Sequence, residues 1–303
     1  SCDVADDIAS RFVLRMVPSQ LPEVSGRQPS WSGGAVVVGD NPVAHQLEAR
    51  LKSCGVTTTR LVSSGEEFGL RDAFKTFTSS NTAPHLFLAS AWDDNAAIKL
   101  DASWWGQRKT DGLLSNFWLA QAWLEHIVAS DLVHDASLIA ISAMGGDFGI
   151  SGKSFSTEGG GLGGLLKSIL IETWMQGYRC LPIKTIDTDR EQSPASIVDN
   201  VWRELAIPSY DNEVSYSGGV RQVVRAIRRP LDATSVSATA LPQGGNWVCT
   251  GGARGITAFV AEHLANRFGM TLHLLGTTSL DGFETNWRDL DEDGLSQLKK
   301  HVL

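Results

Sequence analysis

The sequence predicts an α/β fold: a doubly wound parallel sheet covered by helices on both faces, followed by the beginning of a second such fold. Three observations predict it. Short apolar, β-branched runs alternate with segments of helical period through residues 33–229. The run Trp247-Val248-Cys249-Thr250-Gly251-Gly252-Ala253-Arg254-Gly255-Ile256-Thr257 then reads as a strand, a glycine-rich turn and a helix start. Between them, 230–246 is rich in Ser, Ala, Thr and Pro without periodicity and reads as a linker.

Taken in order, residues 1–32 mix apolar and polar residues with Pro18, Pro22 and Pro29 and read as an inter-domain arm. Residues 34–40 are β-branched and bounded by glycine, as a buried parallel strand is. Asn41-Pro42 supplies an N-cap and a proline at the first helical position for a helix over 43–53, with Val43, Leu47 and Leu51 on one face. Gly55 stops it, and a strand over 56–62 completes a βαβ unit. A helix near 69–78, a strand over 85–90, a long helix near 112–130 and a strand over 137–142 continue the alternation. A helix over 162–175, a strand over 179–186 and a helix near 194–205 follow; Pro182 keeps that last strand off the sheet centre or sits at its start. Residues 213–225 read as a hairpin turning at Ser217-Gly218-Gly219. The expected organisation is therefore an arm (1–32), a structural domain (33–229), a linker (230–246) and the N-terminal part of a second domain (247–303).

Composition sets the class. Hydrophobic residues make up 42% and charged residues 20%, as in a soluble globular protein. A net charge of −8 argues against nucleic acid or an anionic membrane as partner. No apolar run approaches the ~20 residues that span a bilayer, and the acidic start Ser1-Cys2-Asp3 is unlike a signal peptide. A cytoplasmic location is expected. The four cysteines lack CxxC spacing and read as buried free thiols, and the seven histidines lack metal-ligand spacing, so no metal is expected. His263 and His273 read as half-buried core residues, and the tryptophans as packing residues.

The chemistry lies in the glycine turn. Glycines at 251, 252 and 255 let the backbone turn tightly and approach a pyrophosphate, whose charge the free amides of the next helix stabilise. An ordinary tight strand-to-helix turn is the alternative. Residues 271–279 read as the second strand and its exit, and no carboxylate precedes Asp281 where an NAD-selecting fold places one. Arg254 and the hydroxyl-bearing exit Thr277-Thr278-Ser279 favour a 2′-phosphate, hence NADP(H), unless Arg254 is a solvated loop residue. The corresponding turn of the first domain, Gly39-Asp40-Asn41-Pro42, has one glycine, a carboxylate where phosphate would sit and a proline without an N–H; it reads as a Rossmann-like, cofactor-free shell. None of Tyr178, Tyr210 and Tyr216 has a lysine four residues on, and Ser142 reads as a structural hydroxyl. Too short a stretch follows Thr257 to finish a second domain, so the chain is expected to be a piece of a larger protein.

Four stretches together resemble the ketoreductase region of polyketide synthases, including those that make polyunsaturated fatty acids, within the short-chain dehydrogenase/reductase superfamily. They are residues 141–149, 161–168 and 213–225, and the fingerprint 250–257. The resemblance covers roughly residues 33–280. It implies a truncated, cofactor-free structural subdomain followed by a catalytic subdomain that binds NADPH, with Thr250, Gly251, Gly252, Ala253, Arg254, Gly255, Ile256 and Thr277 about the cofactor. Thr257 stands where most members have another glycine, and Thr277 where many have arginine. The catalytic Ser, Tyr and Lys are expected beyond Leu303, so none is assigned here. The implied activity is NADPH-dependent reduction of carrier-bound β-ketoacyl chains by the parent, with this chain inactive alone. The implied partners are other domains of the synthase and an acyl carrier protein with its phosphopantetheine-bound chain. A non-catalytic scaffold or docking module, or a stand-alone Rossmann-type binding protein, are the alternatives.

Overall fold

The computed structural model describes residues 11–21, 29–92, 101–152, 154, 157–207, 209–229, 241–251 and 255–277, with a few positions between 290 and 297. The chain divides into two compact units, residues 1–230 and 231–303.

Unit one contains β1 (Phe12–Pro18), β2 (Ala35–Val38), α1 (Pro42–Ser53), β3 (Thr58–Leu61), α2 (Gly69–Thr78) and β4 (His85–Leu88). It continues with α3 (Ala102–Lys109), a π-helical turn (Thr110–Leu114), α4 (Ser115–Ala129), β5 (Ser137–Ser142), α5 (Glu158–Met175), β6 (Ile183–Thr188), α6 (Pro194–Ala206), β7 (Glu213–Ser217) and β8 (Val220–Arg228). The strands form one sheet in the order β1-β8-β7-β6-β5-β4-β2-β3. From β3 to β7 all neighbours are parallel; β8 is antiparallel to β7, and β1 to β8.

Period-two burial explains why the central strands read as continuous apolar runs. Val36, Val38, Leu86, Leu88, Leu138 and Ala140 enter one core, with residues of α2, α4 and α5. Their neighbours Ala35, Val37, Phe87, Ile139 and Ile141 enter a second core, with residues of α1 and α6. A strand buried on both faces has no polar alternation to show. The sheet is thus doubly wound and Rossmann-like. It is also short by one βα unit, because β3 is the edge and β2 lies between β3 and β4, which puts the topological switch point at β2 and β4.

Local signals set the element ends. Asn41 caps α1 by accepting from the Ala44 amide at 2.9 Å, with Pro42 in the first turn. Ser193 and Pro194 do the same for α6. Gly218 and Gly219, at φ of 55° and 78°, make the two-residue turn of the β7–β8 hairpin.

The structure departs from the sequence reading in several places. Residues 12–18, expected in an arm, form β1, whose partner β8 lies some 200 positions away. A helix, α3, precedes the expected start of the long helix and runs into it through the π turn. Helix α5 begins at Glu158, because Gly159 allows a close approach: a Cβ there would lie 2.7 Å from that of Ser142. Strand β6 begins only at Ile183, so Pro182 precedes it, and the strand lies inside the sheet. Among the described cysteines, Cys54 and Cys180 are exposed and Cys249 half-buried; Cys180 belongs to the turn before β6, which removes it from the core. His263 and His273 are exposed rather than half-buried. Most of the expected linker lies outside the described residues.

Unit two consists of β9 (Asn246–Thr250), α7 (Gly255–Phe268) and β10 (Thr271–Leu275). The two strands pair in parallel, with Thr250 opposite Leu275. No helix among the described residues is long and apolar enough to cross a membrane.

Candidate functional site

In unit two, parallel pairing of β9 and β10 brings both strands out at the same end, so the glycine turn and the β10 exit are neighbours. The Gly251 amide donates to the Leu275 carbonyl at 2.6 Å, which holds the start of the turn against that exit. Gly251 has φ of 68° and Gly255, the first residue of α7, φ of 62°, a conformation glycine adopts without the Cβ penalty. A Cβ at either would meet nothing within 4 Å among the described residues. The first amides of α7 have no intrahelical acceptor and carry the positive end of the helix dipole.

Of the expected cofactor residues, Thr250 ends β9 and is exposed, Gly251 and Gly255 flank the turn, and Ile256 is 84% exposed. Thr277 lies just past β10 on the same side as the turn and is exposed. Gly252, Ala253 and Arg254 lie outside the described residues.

The corresponding end of unit one's sheet is built differently. Asp40, in the turn after β2, accepts from His45 Nε2 at 2.8 Å and Arg60 Nη1 at 2.7 Å, and these contacts hold its carboxyl below the usual range. Asn41 spends its amide group on the Ala89 carbonyl at 2.8 Å. The cleft at the switch point measures about 530 Å³, and three carboxylates, Asp40, Asp111 and Glu158, line it. Arg108, which also lines it, is paired with Glu158.

At the end of β5 a buried carboxyl group holds the loop that follows. Asp187 of β6 is fully buried and accepts from the Ser142 hydroxyl and from the Met144 and Phe148 amides. Burial pushes its carboxyl above the ordinary value, against the pull of those donors. Ser142 is therefore committed to holding a loop. The sequence reading missed Asp187 and Arg60. A carboxylate inside the buried run Ile183–Thr188 is the signal that could have found the first.

No family model and no curated protein matches the chain. Solved structures do resemble it. A multidomain structure of adenylation, ketoreductase and pseudo-Asub domains from a keto acid-selecting NRPS module superposes with a TM-score of 0.62 at 19% identity, covering 95% of this chain and 24% of that one. An N-terminal ketoreductase from the macrolactin assembly line gives 0.56 at 14% identity, covering 96% and 56%. A structure of A-type ketoreductases from a modular polyketide synthase gives 0.55 at 15% identity, covering 95% and 57%. The chain thus spans less than three fifths of each of these structures. The fold of this chain is that of the ketoreductase regions of modular synthases.

Proposed function

We propose that this chain is part of a synthase-borne β-ketoacyl reductase: the structural half, 33–229, and the first βαβ piece of the catalytic half, 247–303. The turn of unit two would hold the pyrophosphate and adenosine of NADPH through Thr250, Gly251, Gly252, Ala253, Arg254, Gly255 and Ile256, with Thr277 toward the 2′-phosphate. NADPH, when bound, supplies a hydride for a β-keto group. The residues here bind and orient; the Ser, Tyr and Lys that act on the carbonyl come from beyond Leu303. Unit one remains without dinucleotide, because Asp40 repels phosphate and Asp187 occupies the loop amides after β5. The proposed partners are the other domains of the synthase and an acyl carrier protein that presents the substrate.

The observation that carries this reading is Gly251: positive φ, an amide bonded to Leu275 and no described atom within 4 Å of where a side chain would stand. The test is NADPH binding by calorimetry and reduction of trans-1-decalone, on the parent protein and on residues 1–303. One NADPH per parent chain and activity only in the parent are expected. Gly255→Asp in the parent should weaken NADPH binding about 100-fold, since it places a charge beside the pyrophosphate and a Cβ at positive φ. Reduction by residues 1–303 alone would overturn the division of labour. A parent that binds no NADPH would leave a scaffold or docking module.

A further inference from the structure

At the β1 edge of unit one's sheet, a row of backbone groups has no partner among the described residues. The register runs from Phe12 opposite Arg228 to Pro18 opposite Gln222. The Arg229 amide donates to the Arg11 carbonyl at 2.9 Å and the Ser19 amide to the Arg221 carbonyl at 3.1 Å, so the odd-numbered residues of β1 face β8. The N–H and C=O groups of Phe12, Leu14 and Met16 therefore point away from the sheet, and Pro18 ends the row without an N–H.

Side chains divide by face. Opposed residues share a face, so Phe12, Leu14 and Met16 lie with Arg228, Ala226 and Val224, and Phe12 and Leu14 are 58% and 62% exposed. The other face carries Arg11, Val13, Arg15 and Val17 with Arg229, Ile227, Arg225 and Val223. No Asp or Glu occurs in 11–18 or 220–229, although the whole chain is acidic. Arg225 is paired with Asp211 at 2.6 Å, while Arg11, Arg15 and Arg229 make no ion pair among the described residues.

A long edge strand with exposed apolar side chains is a template for a further strand. A second copy would set arginines against arginines, which opposes self-pairing. A polyanion would use none of the outward backbone groups. We propose that β1 is a strand-addition site for an extended segment of a partner protein in which acidic and apolar residues alternate. Its backbone pairs with Phe12, Leu14 and Met16, its apolar side chains lie beside Phe12 and Leu14, and its carboxylates lie beside Arg11 and Arg15.

The test titrates the full chain with a labelled peptide of alternating glutamate and valine, its lysine–valine counterpart, and a block peptide of the same glutamate–valine composition. The alternating acidic peptide is expected to bind at least about tenfold more tightly than either control, more weakly as salt rises, and to slow hydrogen exchange at the Phe12, Leu14 and Met16 amides. Leu14→Pro removes an outward donor that β8 does not use and should weaken binding about tenfold. Arg15→Glu, which leaves the backbone alone, should do the same. Equal binding of the block peptide, competition by heparin without amide protection, or no binding of the alternating peptide would each overturn the proposal.

Discussion

The Ser142 hydroxyl donates a 2.7 Å hydrogen bond to Asp187 across the neighbouring strands β5 and β6. The same carboxylate takes the Met144 amide at 2.6 Å and the Phe148 amide at 2.9 Å, so one buried side chain fixes the loop after β5. Asp187→Asn would turn an amide N–H toward a backbone donor and should cost about 1–3 kcal/mol in urea unfolding. Ser142→Ala should cost about 1 kcal/mol and leave ketone reduction by the parent unchanged. Loss of reduction in Ser142→Ala would give this serine a catalytic role.

Glu204 sits fully buried on α6 and ties three elements together. It accepts from Arg221 Nε at 2.5 Å, Lys184 Nζ at 3.0 Å and the Tyr216 hydroxyl at 2.8 Å. Burial pushes its carboxyl up, but the Arg221 hydrogen bond and the charges of Lys184 and Arg221 outweigh this and hold it below the usual range. Glu204→Gln leaves two cations facing a neutral amide and should cost about 3–5 kcal/mol. Tyr216→Phe removes one neutral donor and should cost about 1 kcal/mol. Denaturant melts of both variants compare the two, and equal costs would count against the charge argument.

His85 titrates in the acid range. It is 3% exposed, with Nδ1 at 3.0 Å from the Ser137 hydroxyl, and burial pushes its pKa from 6.5 to about 4. Between these values the unfolded chain binds the proton and the folded chain does not. The stabilising contribution is therefore complete above pH 6.5 and lost as pH falls toward 4. The loss should reach about 3 kcal/mol. His85→Asn should flatten that part of the stability–pH curve measured by urea unfolding; an unchanged slope would assign it to other groups.

Backbone conformation decides the hairpin. Gly218 and Gly219 both have positive φ, and a Cβ at either meets nothing within 4 Å, so a substitution there acts through conformation alone. Gly218→Val should destabilise by about 1–2 kcal/mol, and Gly218→Asn by much less, because asparagine tolerates the left-handed region. Thermal unfolding of the pair tests this: similar midpoints would show that the turn can rearrange.

Much of unit one was legible because its signals are local. Ala35–Val38 and Ser137–Ser142 are apolar enough to require burial on both faces, Asn41-Pro42 starts a helix by its own chemistry, and Gly218-Gly219 names its turn. What was misread depends on distant partners. Strand β1 exists through pairing with β8, and its arginine and terminal proline give no strand signal of their own. Helix α3 has no buried residue, so no apolar stripe marks it. Cys180 read as core from its apolar neighbours, yet the turn before β6 exposes it.

The candidate site divides in the same way. The sequence alone determined the glycine spacing of 251, 252 and 255 and the carboxylate in the turn after β2, since both are matters of residue type and local geometry. Tertiary structure decided that Ser142 serves Asp187, that Arg60 and His45 engage Asp40, and that β1 ends the sheet beside β8. Hydrogen bonds and ion pairs between residues tens to hundreds of positions apart form only once strand order and register are set, and no local pattern encodes either.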